Sequence, residues 1–461
     1  MADSTSESKL TEDERGNLKS EKKKQKQDAW RPVGPKDPFA MLGSLPEKKQ
    51  QEIQKALHLS TLGPSLPQTL QQAKSHTYRF WDTQPVRRLD GGADGIVTCG
   101  QIVECEASVR KEPYSLQQGF SWDTLDLSDP AVLRELCTLL NENYTEEDDN
   151  TIRFYFSPEY LQWALKPPNW LPQWHCGMRV DSNNKLVGFI AAIPTDALIY
   201  ETKKRMVQVK FLCVHKKLRR KRMTPVLIRE LTRRVHQQGL YQAVFTTTGV
   251  LPTPLSSCRY WNRPLNFRKL AEVNYPGLRQ SANLRRATKV NRLPEATKTK
   301  GLRPMTKKDV AGIHVLLQAS LSRFHLSPMW SLQEVEHWLL SREDVIDTYV
   351  VEGEDGTLTD AVSFYSMSSR VLNHLVHKDL RAAHLFYIAS TATDLVDLME
   401  DMLVLAKAKR FDIFLALDVM DNNDFLERLK FSASDTGLHY YLYNWMCPNM
   451  SQDKVGLVLP N

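Results

Sequence analysis

Residues 215–222 read His-Lys-Lys-Leu-Arg-Arg-Lys-Arg, six cations in eight positions. Taken alone, such a run is a solvated charge patch or a segment for nucleic-acid binding or nuclear import. Its flanks point to something more specific. Val207 to Val214 before it is apolar and partly β-branched, as in a buried strand. After it, Thr224 is placed to cap a helix, and Pro225 suits the first helical position. Ile228, Leu231 and Val235 then recur at helical spacing, and Gly239 is placed to end the helix. A strand, a cationic turn and a helix N-terminus in succession aim side-chain charge, free backbone N–H groups and the positive end of the helix dipole at one place. A phosphate-rich ligand uses all three.

The elements that must hold this turn belong to a large chain. With 461 residues, 41% of them hydrophobic, it can bury a substantial core and divide into two or three domain-sized units. The net charge of +7 is modest, and both signs alternate along most of the length, which does not indicate a general nucleic-acid binder. The seven cysteines are scattered and include no Cys-x-x-Cys pair, against both a zinc site and a disulfide framework. No metal is expected. Cys213, on the predicted strand with no evident base beside it, reads as packing, and His175 and His215 as ordinary core or surface histidines. The N-terminus lacks the apolar core of a signal peptide and no apolar run reaches membrane-spanning length, so a cytoplasmic protein is expected.

Residues 1–43 are polar, with a basic cluster at Lys22–Lys26, and read as a disordered tail. A helical pattern follows at 46–57, then an aromatic, extended segment from Tyr78 to Pro85 and a Gly-rich loop from Arg87 to Arg110. From Asp126 the plan is regular. Ser128 or Asp129 caps a helix with Pro130 in its first turn and Val132, Leu133, Leu136 and Leu140 on one face. An acidic loop, Glu146 to Asp149, precedes Arg153–Phe156, a short helix to Leu165, and a hairpin of 174–180 with 186–193. The strand and helix described above come next, then a strand at Tyr241–Thr247. The same order returns about 170 to 180 residues later, the pattern of an internal duplication. Thr306 caps a helix through Leu321; a hairpin joins Thr348–Val351 to Asp360–Ser366; a strand at Ala383–Ala389 leads to a helix from Asp394 to Lys407 and a strand at Phe411–Val419. The second copy's turn, Ser390-Thr-Ala-Thr-Asp394, has no cation. Only the first copy is therefore expected to take phosphate, leaving the other for a different substrate.

Phe211-Leu-Cys-Val-His-Lys-Lys-Leu-Arg219, Lys221-Arg222 and Pro225-Val-Leu-Ile-Arg-Glu230 closely resemble the signature of the glycylpeptide N-tetradecanoyltransferases, or N-myristoyltransferases. Phe80–Val86, Leu165–Cys176, Cys258-Arg-Tyr-Trp261, Tyr440–Trp445 and Gly456-Leu-Val-Leu459 extend the resemblance from about Ser44 to the C-terminus. It implies an α/β (α+β) fold of two tandem acetyltransferase-like (GNAT) units. Residues 44–290 would bind myristoyl-CoA, and 291–461 would contribute the peptide site and the C-terminal carboxylate.

The implied reaction moves myristoyl from its coenzyme A thioester to the N-terminal glycine amine of a protein. The resemblance assigns the oxyanion donors to the backbone N–H groups of Phe211 and Leu212, and the base to the carboxylate of Asn461. Tyr78, Arg79, Phe80 and Trp81 would pack on the coenzyme, with Phe211, Leu212, Cys213 and Val214 along the acyl thioester. Lys217, Arg219, Arg220, Lys221, Arg222, Met223, Thr224 and Pro225 would hold its phosphates. Phe154, Phe156, Lys210, Thr246, Asn262 and Asp435 would face the peptide, and the acidic loop would favour basic residues beyond its glycine. A monomer is expected, with N-terminal-glycine proteins as partners, possible contact of the basic tail with ribosomes, and no specific nucleic acid.

The chain departs from the family pattern in several places. Lys210 stands for an asparagine, Thr224 for an alanine, Asn262 for a histidine and Phe156 for a tyrosine. Lys430-Phe-Ser-Ala-Ser-Asp-Thr436 replaces a glycine-rich segment, and the tail is one residue longer than usual. These leave a second reading open, a catalytically impaired paralogue that binds acyl-CoA or N-terminal-glycine peptides.

Overall fold

The computed structural model describes Pro67, residues 69–88, 98–104, 109–144, 152–276, Leu278, 284–372 and 374–460. The tail, the helical pattern at 46–57, the acidic loop and Asn461 lie outside the described residues.

The first half follows the hydrophobic patterning closely. After β1 (Phe120–Thr124), α1 (Pro130–Asn143) starts at Asp129, whose carboxylate accepts from Ala131 N at 2.7 Å. Leu133, Leu136 and Leu140 are its buried face. β2 (Ile152–Tyr155), α2 (Pro158–Leu165), β3 (His175–Val180), β4 (Leu186–Ile199), β5 (Thr202–Val214), α3 (Met223–His236), β6 (Ala243–Thr247) and β7 (Ser256–Pro264) follow. The second half repeats the order with β8 (Leu302–Pro304), α4 (Val310–Leu321), β9 (Leu326–Pro328), α5 (Leu332–Leu339), β10 (Ile346–Glu352), β11 (Leu358–Val371), β12 (Asp379–Ser390), α6 (Leu395–Ala408), β13 (Ile413–Leu417) and β14 (Ser432–Tyr443). Thr306 heads α4 through a capping box with Asp309.

All these strands join one sheet, ordered β1-β3-β4-β5-β6-β14-β7-β13-β12-β11-β10-β8, with β2 on β11 and β9 on β4. The repeat is visible in its directions. Each half has an antiparallel pair, β4–β5 or β11–β12, followed by a helical crossover to a parallel neighbour, β6 or β13. The halves are interleaved, because β14 sits between β6 and β7 while β7 pairs with β13.

Each parallel pairing is short. β5 and β6 match only at Val207–Ala243 and Gln208–Val244, and β12 and β13 only at Ala382–Ile413 through His384–Leu415. Beyond those rungs the strands part, so the sheet is split twice.

Two sequence expectations need correction. Tyr78–Pro85 is not extended: Asp82 N donates to Tyr78 O at 2.8 Å and Trp81–Thr83 forms a 3₁₀ turn. The segment turns because its aromatics anchor at separate points, the Tyr78 hydroxyl on Val250 O at 2.8 Å and Trp81 stacked on Phe245. Thr224 does not cap α3 either. The helix begins at Met223 from Arg222, which adopts φ 55° and gives no side-chain cap, so Thr224 and Pro225 lie inside the first turn. Proline is tolerated there because a first-turn N–H has no intrahelical acceptor.

Candidate functional site

The site is built around an irregularity in β5. Lys210 pairs with Ala191 and Cys213 with Phe189, so Phe211 and Leu212 together face Ile190 alone. This is a β-bulge, with Phe211 in the left-handed region at φ 53°. A phenylalanine there is strained by roughly 1 kcal/mol or more, and tertiary packing holds it. Its ring is 2% exposed, edge-on to Phe156 at 5.5 Å and tilted against Tyr144 at 6.2 Å. The bulge interrupts the ladder with β4 just where β5 has also parted from β6. Phe211 and Leu212 therefore lie where the register with β4 is irregular and beyond the parallel rungs with β6.

The cationic run after β5 forms a 3₁₀ helix, Lys216–Lys221, that enters α3 through Arg222. It is pinned to the end of α1 by buried Asn143. The Asn143 amide oxygen accepts from Lys216 N at 3.0 Å, and its backbone carbonyl accepts from the Arg219 guanidinium. Lys217, Lys221 and Arg222 are left exposed. No acidic residue occupies the first turn of α3, so its N-terminal dipole and these cations add. The side chain of Arg220 lies outside the described residues. Tyr78 to Trp81 lie nearby, with Arg229 of α3 over the Phe80 ring at 5.7 Å and Phe245 stacked between Trp81 and Tyr441.

The corresponding turn of the second half does more than lack cations. Buried Asp360 fills it, one carboxylate oxygen accepting from the backbone N–H groups of Thr391, Ala392 and Thr393 at 2.7, 3.1 and 3.1 Å. The other accepts from the Thr359 and Thr393 hydroxyls, each at 2.8 Å. Despite the burial, these bonds hold its pKa below the usual carboxylate value. The amides that would receive an external anion are already satisfied by an internal one.

Residues Val455 to Pro460 are all buried and form a strap outside the named strands. Among the described residues, its one ladder contact is a bridge from Val455 to Leu326. Buried backbone groups need partners, and side chains supply them. Tyr440 Oη donates to Leu457 O at 2.8 Å, Val458 N donates to Tyr387 Oη at 3.0 Å, and Lys210 Nζ donates to Pro460 O at 2.5 Å. Gly456 lets the strap pass the Phe324 ring, since a Cβ there would lie 2.8 Å from it. Lys210 and Tyr387 each sit on the strand that precedes the crossover helix of its half, so both splits contribute to holding the strap.

Lys210 is 2% exposed, and burial lowers its pKa to about 7. The structure thus brings Phe156, Phe211 and Lys210 together around the bulge. Thr246 is one strand away, opposite Tyr440. Phe154 is 45% exposed on β2. Asn262 is buried between Leu415 and Ser432, whereas Asp435 is exposed where the β14 register slips between Ala433 and Gly437. Burial pushes the Cys213 thiol up to about 12, consistent with packing and not with a nucleophile. Sequence reasoning missed Asn143, Asp360, Tyr387 and Tyr440; each acts on backbone far away along the chain, and no local spacing marks such a partner.

Family models describe this architecture. Myristoyl-CoA:protein N-myristoyltransferase, N-terminal domain, matches residues 101–258, and its C-terminal domain matches 272–458. Over 416 residues, 90% of this chain and 84% of the relative, the sequence is 56% identical to glycylpeptide N-tetradecanoyltransferase 2 of Danio rerio. The Drosophila melanogaster glycylpeptide N-tetradecanoyltransferase is 46% identical over 87% of this chain and 84% of its own length. A crystal structure of Saccharomyces cerevisiae N-myristoyltransferase with bound myristoyl-CoA superposes with a TM-score of 0.80 at 37% identity, covering 83% of this chain and 99% of that one. The fold and these matches define an acyltransferase of mixed α/β architecture. The chain belongs to the N-myristoyltransferase family, whose members bear the name glycylpeptide N-tetradecanoyltransferase.

Proposed function

We infer that this chain transfers myristoyl from myristoyl-CoA to the N-terminal glycine amine of proteins, and that the split beside the Phe211 bulge is where it does so. The glycine nitrogen attacks the thioester carbonyl, the C–N bond forms, and the C–S bond breaks to release coenzyme A. The backbone N–H groups of Phe211 and Leu212 stabilise the oxyanion of the tetrahedral intermediate. The Asn461 carboxylate takes the proton lost by the glycine ammonium. The cationic turn with Tyr78–Trp81 holds the coenzyme, and Phe156, Thr246 and Asn262 border the peptide. In this reading residues 44–290 carry the coenzyme, while 291–461 supply the peptide side and the terminus. A monomer acting in the cytoplasm, its tail touching the ribosome through Lys22–Lys26, belongs to the same reading.

The observation that carries the proposal is the bulge at Phe211, set at the split and continuous with the cationic turn. The Asp360-filled counterpart explains why one half serves the coenzyme. Myristoyl-CoA and a peptide beginning Gly-x-x-x-Ser, incubated with the purified chain, should yield acylated peptide and one free coenzyme A per acyl group. Binding of myristoyl-CoA without product would instead establish the non-catalytic paralogue.

A further inference from the structure

Cys99 and Cys447 are far apart in the chain and meet just beyond the end of β14. Gly100 and Met446 form an antiparallel bridge and exchange both backbone hydrogen bonds, Gly100 N donating to Met446 O at 2.8 Å and Met446 N to Gly100 O at 2.7 Å. In an antiparallel pair, the residues flanking such a hydrogen-bonded pair face each other with Cα atoms about 4.5 Å apart and side chains on the same side. Cys99 and Cys447 hold those positions, and their thiols are hydrogen-bonded to each other. Disulfides span Cα separations of roughly 4.4–6.8 Å, so a bond between the two sulfurs needs little movement of the backbone.

Both are free thiols, Cys99 partly exposed and Cys447 buried. Burial raises both pKa values, that of Cys447 to about 12, while the hydrogen bond between the thiols opposes the rise at Cys99 and adds to it at Cys447. Cys99 is therefore the sulfur that ionises first and meets solvent. Cys447 is the one placed to resolve whatever forms on it. We propose that Cys99 and Cys447 are a modification site, a dithiol that low-molecular-weight disulfides oxidise to an intramolecular cross-link.

The Cys99 thiolate attacks one sulfur of the small disulfide, forming a mixed disulfide and expelling one thiolate. Cys447 gives its proton to solvent and attacks Cys99 Sγ, which forms the Cys99–Cys447 bond and expels the second thiolate. Two protein thiols are oxidised, one small disulfide is reduced to two thiols, and the protons lost by the protein are taken up by the thiolates released. The cross-link ties residues 98–104 to a stretch that also holds the chain following Trp81. Asn444 N donates to Pro85 O at 2.7 Å, Tyr443 Oη donates to Gln84 Oε1 at 3.1 Å, and the Arg87 guanidinium donates to Asn449 Oδ1. Oxidation thus fixes the base of the Tyr78–Trp81 arm. In a reducing compartment such bonds are transient and redox-sensing.

The test incubates the full chain with oxidised glutathione, blocks the remaining thiols under denaturing conditions, and maps the peptides by mass spectrometry after cleavage at glutamate. Glu104 lies between Cys99 and Cys105, so the digest tells these two apart. The unaltered chain should lose the Cys99 and Cys447 thiols together and give a Cys99–Cys447 linked peptide as the main product, within one chain and reversed by dithiothreitol. Cys447→Ala should instead accumulate glutathione on Cys99, and Cys99→Ser should retain a free Cys447 thiol. Circular dichroism reports folding; if Cys447→Ala does not fold, loss of the link in Cys99→Ser, a change at the partly exposed partner, decides alone. No linked peptide in the unaltered chain, a lasting glutathione adduct on its Cys99, or Cys447 joined to Cys105 or to a second chain would overturn the inference.

Discussion

The Tyr440 hydroxyl donates to the Leu457 carbonyl oxygen at 2.8 Å, and both residues are buried. This bond joins β14 to the C-terminal strap. Removing it leaves a buried carbonyl without its partner, which costs about 1–3 kcal/mol. Tyr440→Phe should therefore lower the urea midpoint and reduce turnover by several-fold, while calorimetric binding of myristoyl-CoA stays within about twofold. An equal loss of coenzyme binding would mean that the bond supports the whole fold rather than the strap.

Arg222 illustrates a residue kept against conformational preference. Its φ of 55° costs a non-glycine residue about 1 kcal/mol, yet it places an exposed cation at the N-terminus of α3. Arg222→Gly should change stability and binding in opposite directions. The melting temperature should rise or hold, while myristoyl-CoA affinity falls by about threefold to tenfold with a shallower dependence on salt.

Asp360 closes the second turn and should behave as an internal anion. Its folded pKa is lowered, so its contribution to stability is present above the unfolded value of about 3.9 and is lost as pH falls through the folded value. Asp360→Asn turns an acceptor-only group into one that also presents donors toward amides and hydroxyls. We expect a loss of about 1–3 kcal/mol at neutral pH in chemical denaturation. The variant's stability should also fall less steeply on acidification below pH 4 than that of the unaltered chain.

His175 and His384 should make the fold acid-sensitive at milder pH. Burial lowers both pKa values to about 4, against about 6.5 in the unfolded chain. Between those values the unfolded state binds more protons, so stability is complete above about pH 6.5 and falls as pH drops toward 4, by up to about 3 kcal/mol for each histidine. Urea midpoints measured from pH 7 to pH 5 should decline; a flat profile would show that neither imidazole is held neutral by the fold.

Much of this molecule was legible in local patterning. Pro130 after Asp129 starts α1, the polar turn at 181–185 between two buried runs makes the β3–β4 hairpin, and the Thr306–Asp309 spacing makes a capping box, because each depends on contacts within a few residues. The cationic run after an apolar strand likewise announced the turn before α3, and its cation-free counterpart at Ser390–Asp394 announced the asymmetry between the halves.

Other features were decided only when distant segments met. The left-handed Phe211 is set by packing against Phe156 and Tyr144 and by the register with β4, none of which a single strand encodes. The cap expected at Thr224 gave way to Arg222 because the 3₁₀ turn anchored on Asn143 fixes where the helix can begin. The counterpart turn, known from the sequence only to lack cations, is occupied by a carboxylate 31 to 33 positions earlier. The sequence by itself determined the elements, their repeated order and the charge of one turn, since propensity, periodicity and charge act locally. The tertiary structure decided that Lys210 meets Pro460, because 250 positions of chain separate them and only the split sheet brings them together.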